Sequence, residues 1–228
     1  MMYRNSQPNA FNPMPPVVVA LFAAIGGIEF WLTIGPVLIG GSNAIEWRVE
    51  TIERFAVNSH LTLWMIENKK YTLDDLARFV SFSFIHGSML NTAIACALFL
   101  AMGKIVGSLF SAISVLVFFV GSAAVGAFIY SLAVPEGGWL FGSITGIYGL
   151  IGAYTFMMWI TLRVNNAPQG QAFYLIALLM GVQLIFSIIF GDNDSWVADL
   201  ISFGTGFLLS FLFVPGGFSR VLDMLRKS

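Results

Sequence analysis

Long apolar stretches separated by polar segments dominate the chain. Six of them hold between 19 and 30 residues, and an α-helix needs about 20 to cross roughly 30 Å of hydrocarbon. They lie at residues 16–40, 79–102, 105–134, 139–162, 172–190 and 196–214. Because a helix satisfies its own backbone hydrogen bonds where water is absent, this pattern predicts an all-α membrane protein with six transmembrane helices.

The connection between the first two stretches, residues 41–78, is longer than the others and rich in charged residues. Four of its apolar residues recur at helical spacing: Val49, Ile52, Phe55 and Ala56. This spacing predicts an amphipathic helix at the membrane surface. Thr72 followed by Asp75 has the spacing of a helix capping box, and we expect the chain to lead into the second transmembrane helix there.

The charges favour one orientation in the membrane, because Lys and Arg near membrane spans concentrate on the cytoplasmic side. With six spans, the side of both termini holds six basic residues against one acid, Asp223. These basic residues are Arg4, Lys104, Arg163, Arg220, Arg226 and Lys227. The opposite side holds five basic residues against ten acids. We therefore expect cytoplasmic termini in a plasma (inner) membrane, with residues 41–78 outside.

Three segments follow from this pattern. Residues 1–15 form a polar, cytoplasmic N-terminal tail, residues 16–214 form the membrane domain, and residues 215–228 form a basic cytoplasmic tail. The last segment is compatible with an amphipathic stretch on anionic lipid and, equally, with a frayed polar end.

Composition excludes several classes of protein. Of all residues 57% are hydrophobic and 10% are charged, and the mean hydropathy is +0.83, so the lipid bilayer is the expected surroundings and the first expected partner. A net charge of −1 does not fit the clustered basic face of a nucleic-acid-binding protein. The single cysteine, Cys96, lies in an apolar stretch, so we expect no disulfide, no metal site and no cofactor.

Small residues form continuous faces on two of the predicted spans. On the fourth span the face consists of Gly142, Gly146, Gly149 and Ala153. On the sixth span it consists of Ser202, Gly206 and Ser210. Such faces let helices approach closely in an apolar solvent. We therefore expect these two spans to pack together, with Gly146 and Gly149 against Gly206 or its neighbours.

Three segments of the chain resemble transmembrane spans of the rhomboid intramembrane proteases. The sequence GSITGIYGLIGAY, residues 142–154, resembles the fourth span, whose GxSG motif holds the nucleophilic serine before a Gly/Ala-rich run. Residues 84–107 are similar to the second span, which opens with a phenylalanine and a histidine. Residues 202–213 are similar to the sixth span, in which a histidine precedes two spaced glycines. The resemblance implies a six-helix rhomboid-like bundle.

The residues that cleave peptide bonds in that family are altered here. Thr145 stands at the serine position of GxSG, and Phe203 stands at the histidine position of the sixth span. The first histidine of the second span is retained as His86. Asn91 and Ala95 replace the second histidine and the asparagine, which help to hold the oxyanion in the family. The resemblance therefore implies a catalytic dyad that has lost both members.

Other positions keep part of the family pattern. Gly142, Ser143 and Gly146 flank the nucleophile position, and the resemblance implies that they bind substrate. Arg78 matches the arginine of the family's loop Trp-Arg pair, although Ala77 stands in place of the tryptophan.

The chemistry of the residues points in the same direction. A hydroxyl nucleophile needs an adjacent base to take its proton, and the phenyl ring of Phe203 cannot accept one. His60 lies in the long connection, which leaves His86 as the one replacement base. The structural alternative for His86 is a hydrogen bond to the first loop or to a helix end.

Two functions compete on this evidence. The favoured hypothesis is a pseudoprotease that binds transmembrane segments or membrane partners without cleaving them. The alternative is a divergent serine-type endopeptidase that uses Thr145 or Ser143 with His86. Close approach of a hydroxyl to the His86 ring would favour the alternative.

Polar side chains in other spans leave a third function open. Glu29 lies in the first span, Asn91 in the second and Gln183 in the fifth. A continuous polar path through these three residues would favour a small transporter or a structural membrane protein outside the family.

Overall fold

The computed structural model describes residues 13–39, 44–190 and 194–213. The tails predicted at residues 1–15 and 215–228 lie almost entirely outside these ranges. The α-helices are α1 (Pro16–Ile39), α2 (Ala44–Phe55), α3 (Ser59–Asn68), α4 (Leu73–Ser81), α5 (Met89–Leu109), α6 (Ala112–Leu116), α7 (Ser122–Ala133), α8 (Ile144–Val164), α9 (Tyr174–Phe190) and α10 (Ser195–Phe213). The strands are β1 (Val57–Asn58) and β2 (Trp139–Leu140).

Five helical segments in the described ranges are long and apolar enough to cross a membrane. They are α1, α5, the run Ala112–Ala133, α8 and α10. The remaining predicted span corresponds to α9, of which 17 residues, Tyr174–Phe190, are described. It follows a 3₁₀ turn over Gln169–Phe173. The predicted class, an all-α membrane bundle, is confirmed.

The second span lies further along the chain than predicted. It begins at Met89 rather than at residue 79, and it ends at Leu109 rather than at residue 102. Ser88 caps its N-terminus, because the Ser88 hydroxyl accepts a hydrogen bond from the N–H of Asn91 at 3.2 Å. The third span consequently begins at Ala112 instead of residue 105. Within it, α6 and α7 are joined by a π-helical turn, Val117–Gly121.

The fourth span begins later than predicted, at Ile144 rather than at residue 139. Residues 139 and 140 instead form β2, which pairs antiparallel with β1 of the long connection. An apolar run of this length does not distinguish a strand from the start of a buried helix. The small sheet ties the long connection to the segment that leads into α8.

The long connection is mostly helical. Helix α2 covers the predicted amphipathic segment. Thr72 caps α4 rather than the second span, and its hydroxyl accepts the N–H of Asp75 at 3.2 Å. Arg78, on α4, donates to the carbonyls of Glu53 and Ala56 at the end of α2, at 2.7 and 3.1 Å. A cation is favourable at the C-terminus of a helix, so Arg78 holds α2 against α4.

Close packing of α8 against α10 forms the centre of the bundle. A Cβ atom added at Gly206 would lie 2.0 Å from the carbonyl oxygen of Gly149, so only glycine fits there. The predicted packing of Gly149 against Gly206 is confirmed. At Gly146 an added Cβ would lie 2.7 Å from the ring of Phe119, so this residue packs closely against the third span. Its contact with the sixth span stays a prediction.

Candidate functional site

A cavity of about 390 Å³ lies at the end of the bundle that carries the long connection. The start of α5, the β2 segment, the start of α8, α9 and the start of α10 enclose it. Its volume is within the range of about 300–1,000 Å³ that is usual for ligand pockets. The residues that line it include five polar ones, His86, Asn91, Thr145, Gln183 and Asp199, and also Gly142.

A tight turn brings the chain from β2 into α8. Gly142 has a φ of 109°, in the left-handed region that glycine adopts at little cost. Its N–H donates to the carbonyl of Phe82 at 2.8 Å. The turn directs the next two hydroxyl residues differently: Ser143 contacts the segment before α5, and Thr145 contacts α10.

Thr145 is bonded to a buried acid. Its hydroxyl donates to Oδ1 of Asp199 at 2.8 Å. The other carboxylate oxygen, Oδ2, accepts from the Gln183 amide at 2.8 Å. The amide oxygen of Gln183 in turn accepts from the Tyr148 hydroxyl at 3.0 Å. We call these four residues the Asp199 network; Asp199 itself is only 2% exposed.

Phe203 takes no part in these hydrogen bonds, because its side chain has no polar group. It lies one helical turn after Asp199 on α10 and is 9% exposed, in the apolar core. Its ring lies beside Phe207, with the centroids 6.5 Å apart. The partner of the Thr145 hydroxyl is therefore a carboxylate from the preceding turn, and Phe203 is a core side chain.

His86 clamps the start of α8. Its Nε2 atom accepts the backbone N–H of Ser143 at 3.1 Å and lies 3.1 Å from the Ser143 hydroxyl. That hydroxyl donates to the carbonyl of Ser83 at 2.7 Å. An imidazole nitrogen has one lone pair, and the backbone N–H already engages it. Burial is the main reason why the pKa of His86 lies below its ordinary value, which favours the neutral ring.

Glu29 belongs to a second network, at the meeting of α1, α2 and α5. The Arg48 guanidinium binds both of its carboxylate oxygens, at 2.7 and 3.0 Å. The hydroxyls of Thr33 and Thr92 also donate to the Glu29 carboxylate, at 3.1 and 2.7 Å. Arg48 donates further to the backbone carbonyl of His86 at 2.7 Å. We call Glu29, Thr33, Arg48 and Thr92 the Glu29 network.

The hydrogen bonds of these two networks do not form the continuous polar path that would favour a transporter. Glu29 bonds within its own network, and Gln183 bonds within the Asp199 network. Asn91 is exposed at the wall of the cavity. In the described part of the chain, no hydrogen bond joins Glu29 to Gln183.

The structure brings some of the predicted site residues together and leaves others in the packed core. His86, Asn91, Gly142 and Thr145 line the cavity. Ser143 is fully buried behind His86. Ala95 and Phe203 lie in the hydrophobic core, and Gly146 lies at a close helix contact.

Sequence analysis missed two residues of the site. Asp199 lies four residues before Phe203, so both share one helical face, and this spacing was the available signal. Tyr148 lies three residues after Thr145 and could have been found in the same way. Among the described residues, no group of three or more His, Cys, Asp or Glu side chains is placed to hold a metal ion.

The helices and the polar cavity define a multi-pass integral membrane protein. Comparison with protein-family models matches residues 73–216 to the Rhomboid domain. This match covers more than half of the chain, and the protein therefore belongs to the rhomboid family. A search of the curated proteins found no match.

Proposed function

We propose that this rhomboid-family protein binds transmembrane segments or other membrane partners without cleaving them. The observation that carries the proposal is the hydrogen bond from Thr145 to Asp199, at 2.8 Å. It commits the hydroxyl at the nucleophile position to a buried carboxylate. Phe203, at the position of the base, has no group that can take a proton.

In this chain a carboxylate bonds to the hydroxyl at the nucleophile position, whereas the family uses an imidazole as its base, so the pair has lost that member. Loss of one member of a nucleophile and base pair typically costs on the order of ten-thousandfold in rate. Ala95 also lacks the side-chain donor that the family uses for the oxyanion, which weakens a further stabilising interaction.

One contact favours the alternative, a divergent endopeptidase. The hydroxyl of Ser143 lies 3.1 Å from Nε2 of His86, within reach for a nucleophile and its base. Three features oppose this role. The serine is fully buried, its proton is directed to the Ser83 carbonyl, and its own N–H engages Nε2.

A fluorogenic single-span peptide in liposomes distinguishes the two functions. The natural chain, Thr145→Ala and Ser143→Ala are compared, with an active rhomboid protease as the positive control. We expect no cleavage by any of the three chains, while the peptide still binds. Cleavage by the natural chain that disappears in Thr145→Ala or in Ser143→Ala would identify the nucleophile and overturn the proposal.

A repair series tests the same reasoning in the opposite direction. Thr145→Ser with Phe203→His restores the dyad, and we expect weak cleavage at best. Addition of Asn91→His and Ala95→Asn restores the oxyanion positions and should increase the rate. Full activity from the first pair alone would show that the oxyanion donors are dispensable here.

We also propose cytoplasmic termini and an inner-membrane location, from the distribution of Lys and Arg along the sequence. Single cysteines at Ser6, Asn58 and Ser228 in a Cys96→Ala background can be labelled from outside the cell. Labelling at Asn58 alone is expected. Labelling at either tail without Asn58 would reverse the orientation.

A further inference from the structure

Asp199 is a buried acid in a membrane-spanning helix, and its partners are neutral. Thr145 and Gln183 each donate one hydrogen bond to it. In the described ranges no Lys, Arg or His side chain forms an ion pair with Asp199. Buried charges in proteins are normally paired, so within the described part of the chain this carboxylate departs from the rule.

Asp199 is also one of the residues that line the cavity. Ionised, it has about four lone-pair positions on two oxygens, and the two hydrogen bonds described above use two of them. The aromatic rings of Trp139 and Phe141 line the same cavity, and aromatic faces attract cations. The site therefore combines an acid with unused acceptor capacity and apolar surfaces that suit the stem of a long basic side chain.

Its depth in the bundle restricts the ligand. Asp199 is the fifth residue of α10, about 6 Å along the axis from the helix start at about 1.5 Å per residue. The cavity is bounded by the starts of α5, α8 and α10. A partner side chain that reaches Asp199 must therefore come from near one end of a membrane-spanning segment.

We propose that this cavity binds a basic side chain, Lys or Arg, near one end of a partner protein's transmembrane segment, with Asp199 as its counter-charge. The inference rests on the proposed function, since it names the chemistry of the segment that is bound. A basic residue inside a membrane span is costly for the partner, and an unpaired carboxylate is costly here. Pairing the two relieves both costs, which gives recognition without cleavage.

Synthetic single-span peptides test the pairing with the full-length protein. Three Leu/Ala-rich peptides carry Lys, Met or Glu at one position in the first third of the span. Their binding is measured by energy transfer in phosphatidylcholine vesicles, whose headgroups present no primary amine. We expect the Lys peptide to bind about tenfold more tightly than the Met peptide, and the Glu peptide to bind most weakly.

Protein variants then locate the preference. Asp199→Asn keeps the size of the side chain, and the Lys-to-Met affinity ratio should fall from about tenfold to about one. Glu136→Gln is the matched control, because this acid is exposed beside β2 and its loss should leave the ratio unchanged.

Each outcome decides one question. Equal binding of the Lys and Met peptides by the natural chain overturns the inference without any protein variant. A Lys preference that survives in Asp199→Asn overturns it as well. Either result leaves binding without cleavage intact, whereas a cleaved peptide, detected by mass spectrometry, overturns the proposed function itself.

Discussion

Two carboxylates lie inside membrane-spanning helices of this protein, and their surroundings differ. Glu29, on α1, is bound by the Arg48 guanidinium through both oxygens and by two threonine hydroxyls. Asp199, on α10, is bound by one hydroxyl and one amide, both neutral. The two acids share the cost of carrying charge in a bilayer, but among the described residues a cation compensates Glu29 and none compensates Asp199.

The difference assigns different roles to the two acids. The Glu29 network joins α1, the long connection and α5, and through the His86 carbonyl it also fixes the turn before α5. It is a structural connection. The Asp199 network joins α8, α9 and α10 at the wall of a cavity, and its acid keeps the capacity to bind something else.

Removal of Arg48 should have the largest effect, because it leaves the buried Glu29 carboxylate with only two neutral donors, the Thr33 and Thr92 hydroxyls. Breaking a buried ion pair by removal of one partner costs about 3–5 kcal/mol, and we expect Arg48→Met to reduce the unfolding free energy in detergent by about that amount. Arg54→Met on the same helix is the control, because Arg54 is exposed and its guanidinium lies over the ring of Phe55. Equal losses in both variants would show that the ion pair is not what stabilises this end.

A rescue separates the charge from the packing of the side chain. In the double variant Arg48→Met with Glu29→Gln, no charge is left unpaired in the network. We expect the double variant to be more stable than Arg48→Met alone, by at least about 1 kcal/mol. An additive further loss would mean that the contacts of Glu29 with the threonines matter more than its charge.

The next largest effect should come from the packing that brings Asp199 to Thr145. An alanine at Gly206 would place Cβ 2.0 Å from the Gly149 carbonyl oxygen, whereas Gly204 on the same helix has nothing within 4 Å. We expect Gly206→Ala to cost about 1–3 kcal/mol from overpacking. Gly204→Ala is the matched control and should be neutral or slightly stabilising in a thermal unfolding measurement. Similar unfolding temperatures for the two variants would contradict the close approach of α8 and α10.

These residues also show how far sequence reasoning reaches in this protein. The small-residue face of Gly206 was predictable because residues one turn apart on a helix share a face. The same rule could have placed Asp199 on the helix face of Phe203. The pairing of Arg48 with Glu29 was not predictable, since it depends on how the long connection folds back, and an apolar pattern does not determine that path. The strand at Trp139 was missed because short apolar runs suit helix and strand alike.

A smaller effect is expected when the charge of Asp199 itself is removed. Asn at this position keeps an acceptor for the Thr145 hydroxyl, and a rotated Gln183 amide can pair with the new amide. Replacing a buried charge by a neutral group of similar volume is often neutral or stabilising, so we expect Asp199→Asn to change the unfolding free energy by less than about 1 kcal/mol. Glu29→Gln, measured in parallel, should cost more because it leaves Arg48 unpaired. Equal losses would remove the distinction between the two acids.

The smallest effect concerns His86, which touches both regions, because Arg48 binds its carbonyl and Ser143 binds its ring. The pKa of His86 is lowered in the fold, chiefly by burial, while Glu29 acts against the shift and Arg48 adds to it. In the unfolded chain histidine titrates near 6.5. Between the two pKa values the unfolded state holds a proton that the folded state lacks, so stability falls as the pH decreases below about 7 and levels off below the folded pKa.

His86→Gln isolates this contribution, since the Gln amide oxygen can accept the Ser143 N–H without titrating. Between pH 7.5 and 5.5 the natural chain should lose up to about 1 kcal/mol more unfolding free energy than His86→Gln. His60→Gln is the matched control, because His60 is exposed in the long connection, and its profile should follow that of the natural chain. Carboxylates contribute equally to all three profiles and cancel in the differences. If the natural chain instead gains stability relative to His86→Gln on acidification, the folded protein protonates this ring more readily than the unfolded chain does. The hydrogen bond from the Ser143 N–H to the ring would then have to break as the ring becomes charged.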